Sequence, residues 1–252
     1  MIKQIARMYM LESMRNPGMV FGNVLPAIMF MISSVICKNM ITGDATNFID
    51  IMIKGQFLPL SIIMLIFSFA FSSATIYLAD MKVNKTFQWI QRTGIKPHTY
   101  YIGMGIGVFT LLNVFLVLLL IGYSFIIDIS LSSYFMIILI SNFVLLALYP
   151  LSFILAGLFK NEKVAQSMLT PIMLLFMFSI QMTSLFLTLA EKNPQDYFIF
   201  LIWNPMLYLF DSLQMYLNLF DETWLPQYQY CIILAVISMV LATIAKKVYT
   251  SQ

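Results

Sequence analysis

Few side chains in this sequence are equipped for chemistry, and they lie far apart. One histidine, His98, stands in a basic stretch, and a lone imidazole cannot cage a zinc ion that needs three or four ligands. Ser72, Ser73 and Thr75 carry hydroxyls with no neighbouring base, so they read as packing or back-bonding groups. Gly103-Met104-Gly105-Ile106-Gly107 is the nearest approach to a phosphate-binding loop. It has no P-loop lysine and follows Tyr100-Tyr101 at the mouth of an apolar run, not a strand. Gly103 and Gly107 are four apart, which suits close helix packing. Cys37 and Cys231 fall near the ends of apolar runs and read as small buried hydrophobes ahead of a bridged pair. Catalysis by an intramembrane carboxylate pair or zinc centre finds no support, and the residues expected to bind a metal or cofactor are none. Proton- or sodium-driven carriers usually hold an ionisable group inside a span, and the apolar runs contain none.

The elements that carry these residues are membrane spans. Hydrophobic residues make up 61% of the 252 residues and charged ones 10%, whereas a soluble domain carries about 25% charged. A helix needs about 20 apolar residues to cross the hydrocarbon layer. Runs 20–37, 57–79, 101–127, 134–159, 164–190 and 228–245 meet or approach that length without an Asp, Glu, Lys or Arg. Unbroken runs of this kind lack the alternation of barrel strands. The expected fold class is an all-α integral membrane protein, a single transmembrane domain over 1–252 with six spans. Pro150 and Pro171 fall inside the fourth and fifth runs, where each removes a backbone hydrogen bond and favours a kink.

Positive charge gives the orientation. With the N-terminus inside, the inner segments hold Lys3, Arg7, Arg15, Lys82, Lys85, Arg92, Lys96, Lys160, Lys163, Lys246 and Lys247, against Lys38, Lys54 and Lys192 outside. Both termini are therefore expected in the cytoplasm, with the chain multi-pass in the cell membrane. The apolar stretch 198–220 competes for a seventh crossing, but it contains Asn204-Pro205, Asp211 and Gln214 and would put Lys246 and Lys247 outside. Residues 194–226 are instead read as re-entrant or interfacial helices on the outer face. Residues 1–16 are not expected to be a cleavable signal. Ile2, Ile5, Ala6 and Tyr9 recur at helical spacing, with Lys3 and Arg7 on another face. That pattern fits an amphipathic helix on the inner surface or, more plainly, a basic flank. Asn16-Pro17-Gly18 then breaks the chain.

The inner loop 80–98 has helix signals of its own. Thr86 is suited to cap a short helix and Gly94 to end it. Phe87, Ile90 and Gln91 share one face, Trp89 and Arg92 another. An exposed Trp beside Arg suits a protein contact or an anchor at the membrane edge.

This arrangement resembles the permease subunit of ABC-2-type, or type V, ABC transporters over nearly its whole length. The shared features are the amphipathic start, six spans, a helix-bearing loop after the second span and a helical return between the fifth and sixth. In that loop Thr86, Gln88, Thr93, Gly94 and Gly103 occupy the places of the family pattern. Gln88 stands for its Glu, Gly94 for its Pro and Met104 for its Lys. In the return, Trp203-Asn204-Pro205-Met206-Leu207-Tyr208 with Asp211-Ser212-Leu213 fits the family's Asn-Pro-Leu motif.

The resemblance implies a division of labour. A separate ABC ATPase dimer would hold ATP and magnesium, and this chain would be no enzyme itself. Arg7 and Glu12 of the start, with Thr86, Gln88, Trp89, Arg92, Thr93, Gly94 and Ile95 of the loop, would form the coupling surface. Asn204, Pro205 and Asp211 would form the outer motif. A second permease chain, alike or different, would complete the pathway; membrane lipid would surround it, and nucleic acid would have no part. The chain is also similar to small permeases of Gram-positive bacteria that export membrane-active peptides or give immunity to them, phenol-soluble modulin exporters among them. A hydrophobic or amphipathic export substrate, such as a membrane-active peptide, is the expectation. Its 20 Met and 15% aromatic residues suit adaptable apolar contact, although lipid-facing packing looks the same. The competing function is a non-transporting immunity or sensor protein that binds such peptides.

Overall fold

The computed structural model describes residues 1–40, 46–86, 89, 92 and 94–250, without the side chains of 46–48, 249 and 250. Among the described residues every regular element is helical. In order these are α1 (Ile2–Arg15), α2 (Pro17–Met40), α3 (Ile49–Val83), α4 (Pro97–Ser124), α5 (Leu131–Leu158), α6 (Glu162–Leu189), a 3₁₀ helix (Pro194–Leu201), α7 (Pro205–Tyr216) and α8 (Gln227–Thr250). Helices α2 to α6 and α8 are long and apolar enough to cross a membrane. The chain is an all-α integral membrane protein.

Helix α3 differs most from its apolar run. It begins before residue 57 and carries Lys54, which the sequence places in a loop. Two π-helical segments, Ile53–Phe57 and Phe67–Ser73, keep the helix continuous across this longer stretch. It is also the central element, with 83% of its apolar window buried against 11% for α2 and α8 and 22% for α6. Cys37 and Cys231 are free thiols.

Lipid is as apolar as leucine, so polar links and close packing place the helices. Tyr123 of α4 is such a link. Its hydroxyl lies 2.6 Å from Ser61 Oγ of α3 and accepts from Ser34 of α2 at 3.5 Å. Ser61 also donates to the Ala27 carbonyl of α2 at 3.2 Å. Lys38, in the last turn of α2, donates to the Ile126 carbonyl just beyond α4. Between α4 and α5, Asn113 and Asn142 exchange amide hydrogen bonds of 2.7 and 2.9 Å.

One end of the bundle gathers the end of α3, the start of α4 and the ends of α5 and α8. Lys82 Nζ donates to the Gly157 and Phe159 carbonyls at 2.8 and 3.4 Å. An ammonium suits the exposed carbonyls at a helix C-terminus. A Cβ built on Gly157 would fall 2.7 Å from Val248 Cγ1. The glycines allow that approach, and α1 joins the same end through two others. A Cβ on Gly103 would lie 2.8 Å from Ile5 Cβ, and one on Gly107 2.8 Å from Tyr9 Cδ1. The Gly103–Gly107 spacing is thus a seat for α1. Helix α1 buries Ile5, Ala6, Tyr9 and Ser13, while Ile2 stays exposed, unlike the expectation for that face.

Candidate coupling surface and return motif

At the end where α1 docks, the polar residues form a pinned array. Tyr77 of α3 donates to Glu12 Oε2 at 3.0 Å. The Tyr9 and Tyr77 rings meet edge-on at 5.2 Å, and the Tyr9 hydroxyl lies 3.4 Å from Ser73 Oγ. Burial pushes the Tyr9 phenol above its ordinary pKa, with hydrogen bonds to Ser73 and Ser13 pulling the other way. Glu12 therefore ties α1 to α3, and Arg7 stays exposed.

The loop helix starts one residue earlier than its expected cap. Lys85, at φ 55°, accepts the Trp89 N–H at 3.3 Å, and Thr86 is already helical. A residue whose carbonyl receives the first helical bond occupies the cap position, so Lys85 takes the place expected for Thr86. Trp89 is 64% exposed, and the Arg92 guanidinium carbon lies 5.2 Å from its ring centroid. Gly94 adopts φ 80°, a left-handed conformation that suits the residue after a helix. Ile95 then packs against the core. The contacts expected of Phe87, Gln88, Ile90, Gln91 and Thr93 lie outside the described residues. Lys82 roots the loop, a role the sequence reading missed; its signal was a lone basic residue in the last turn of a span. Tyr100 reinforces the root by donating to Met81 Sδ at 2.7 Å.

At the other end, Asn204 caps α7 and fastens it to α6. Its Oδ1 accepts the Met206 N–H at 3.0 Å. Its Nδ2 donates to the Phe176 carbonyl at 2.7 Å and to Ser179 Oγ at 3.0 Å, near the middle of α6. Pro205 holds the first helical position, where no amide is needed. Helix α7 ends near the start of α5, where Ser133 Oγ donates to the Tyr216 carbonyl at 2.9 Å. The segment thus dips to mid-bundle and returns. Twelve residues span about 18 Å, too short to cross.

Asp211 locks this return. Gln195 Nε2 donates to Oδ1 at 3.0 Å; the Trp224 N–H and the Tyr230 hydroxyl donate to Oδ2 at 2.9 and 2.5 Å. Burial pushes the carboxyl pKa up, while the hydrogen bonds pull it down in part. Gln195 and Tyr230 carry no signal in the sequence, because their partner lies 16 and 19 residues away. Below Asn204, rings step inward: Trp203 meets Phe176 at 5.5 Å, Phe176 meets Phe71 at 6.3 Å and Phe71 meets Phe67 at 4.7 Å. The motif joins α6 to the second π segment of α3.

A model of the ABC-2 family transporter proteins matches residues 47–246, from the start of α3 into α8. No curated protein matches the sequence.

Proposed function

The chain belongs to the ABC-2 family of transporter proteins, and from that premise we propose that it is the permease subunit of an ATP-driven exporter. Family membership implies an ABC ATPase as partner. The sequence supplies no P-loop, so ATP and magnesium belong to the ATPase dimer. The observation that carries the coupling role is the exposed Trp89–Arg92 pair on a loop rooted by Lys82. An ATPase surface pressing there would act on α3 directly and on α5 through the Lys82 link. Arg7 and Glu12 extend the surface along α1. The excess of Lys and Arg on this side supports a cytoplasmic position for it and for both termini.

Two copies of the chain, or this chain and a related one, would enclose the path. The sparsely buried helices α2, α6 and α8 are the surfaces available for it. A hydrophobic or amphipathic cargo, such as a membrane-active peptide, suits the aromatic steps from Phe67 to Trp203. The double variant Trp89→Ala/Arg92→Ala tests the coupling. The expected result is about a tenfold loss of ATPase co-purification or of hydrolysis coupled to transport, since an exposed Trp or Arg hot spot is worth 1–2 kcal/mol or more. Unchanged co-purification and coupling would remove the reading. A chain that binds peptide yet never retains an ATPase would instead be an immunity or sensor protein.

A further inference from the structure

Helix α1 spends one side on α4, and its other side remains. Met8, Leu11 and Met14 are 45%, 44% and 54% exposed there. Lys3, Arg7 and Arg15 are exposed on the same helix, with Glu12 as its acid. At the elbow into α2, Met8, Leu11, Glu12, Arg15, Asn16 and Pro17 line an open groove of about 530 Å³. Its lining combines apolar Met8, Leu11 and Pro17 with polar Glu12, Arg15 and Asn16.

Its depth follows from packing. The buried side of α1 rests on Gly103 and Gly107, in the first turns of α4, and α2 enters its span directly at Pro17. The elbow therefore sits where hydrocarbon gives way to headgroups. We propose that this groove binds one anionic phospholipid of the phosphatidylglycerol class. Arg15 would pair with the phosphodiester. Asn16 uses Oδ1 to accept the Met19 N–H at 3.2 Å, leaving its amide N–H groups for the same phosphate. Glu12 accepts Tyr77 at Oε2, leaving Oε1 for a headgroup hydroxyl. An acyl chain would lie along Met8 and Leu11. The net positive charge of α1 selects an anionic lipid over a zwitterionic one. This assignment needs only that the chain spans a membrane, not that it partners an ATPase.

The test uses the purified full chain in detergent, titrated with dioleoyl phosphatidylglycerol. Thermal unfolding is followed, and retained lipid is counted by native mass spectrometry. The expected result is a saturable rise in Tm with one lipid retained per chain. Arg15→Gln should weaken the apparent affinity about fivefold, the effect of one basic contact at an anionic surface. Leu11→Asn should weaken it as well, while Lys163→Gln, a basic residue at the start of α6 away from the elbow, should not. Arg15→Gln stays on an exposed site, and its Tm without lipid reports whether it folds. The proposal is overturned if phosphatidylethanolamine or phosphatidylcholine works equally well. It is also overturned if Arg15→Gln and Lys163→Gln behave alike, or if glycerol 3-phosphate alone reproduces the rise. Unchanged lipid retention in Arg15→Gln, with loss of a bound ATPase, would assign the groove to a protein instead.

Discussion

Asp211 shows how a single carboxyl can hold a loop-rich segment in place. Its three donors come from the 3₁₀ helix, the stretch after α7 and the start of α8. Burial nevertheless raises its pKa in the folded state. A carboxyl raised in this way contributes its stability below the unfolded pKa and loses it as pH rises through the folded value. The Tm of the wild type should therefore fall from acid toward neutral pH. Asp211→Asn should lack that part of the fall, because the amide stays neutral at every pH, as the protonated carboxyl does in acid. Its Tm should therefore be flatter than the wild type's across the same pH range. Thermal unfolding across pH checks both. At this scale the sequence was partly legible. The Asn204-Pro205 cap and Asp211 stood out as polar residues in an apolar stretch. Lys82, Gln195 and Tyr230 did not, because their roles depend on partners distant in the chain.

Among the elements, the six spans were readable because lipid demands long uninterrupted apolar runs. The start of α3 was not. Lys54 looks like a loop residue by charge, and only the helix continuing through its π segment absorbs it. Helix α1 was readable as amphipathic, but the surface it covers was not: Gly103 and Gly107 reveal close packing without naming Ile5 and Tyr9 as the guests. Gly107→Val should force Tyr9 outward and lift α1 from its seat. Ser13, buried in the wild type, then serves as reporter. A Ser13→Cys thiol should label slowly with a water-soluble maleimide in the wild-type background and several times faster beside Gly107→Val. Equal rates would mean that α1 is held elsewhere.

For the molecule as a whole, an even number of spans brings the chain's two ends together. Ile5 rests on the start of α4 and Val248 on the end of α5, at the face where Lys82 also binds. Tags at residues 1 and 252 should report the same compartment by protease accessibility, and opposite compartments would refute six crossings. The share of each helix that is covered is uneven, and that has a mechanical result. Helix α2 is covered by its own chain along little of its length, and hydrocarbon tails can replace apolar neighbours at little cost. Its place depends on the phenol of Tyr123, the serines around it and Lys38. Tyr123→Phe keeps the ring and deletes the two hydroxyl links, to Ser34 and Ser61, while the Ser61–Ala27 and Lys38–Ile126 bonds remain, at a cost of about 0.6–1.7 kcal/mol. A lipid-soluble maleimide should then reach Ala27→Cys, at a position fully covered in the wild type, while the other spans stay shielded. Labelling confined to that site would mark a seam between the first crossing and the remaining five.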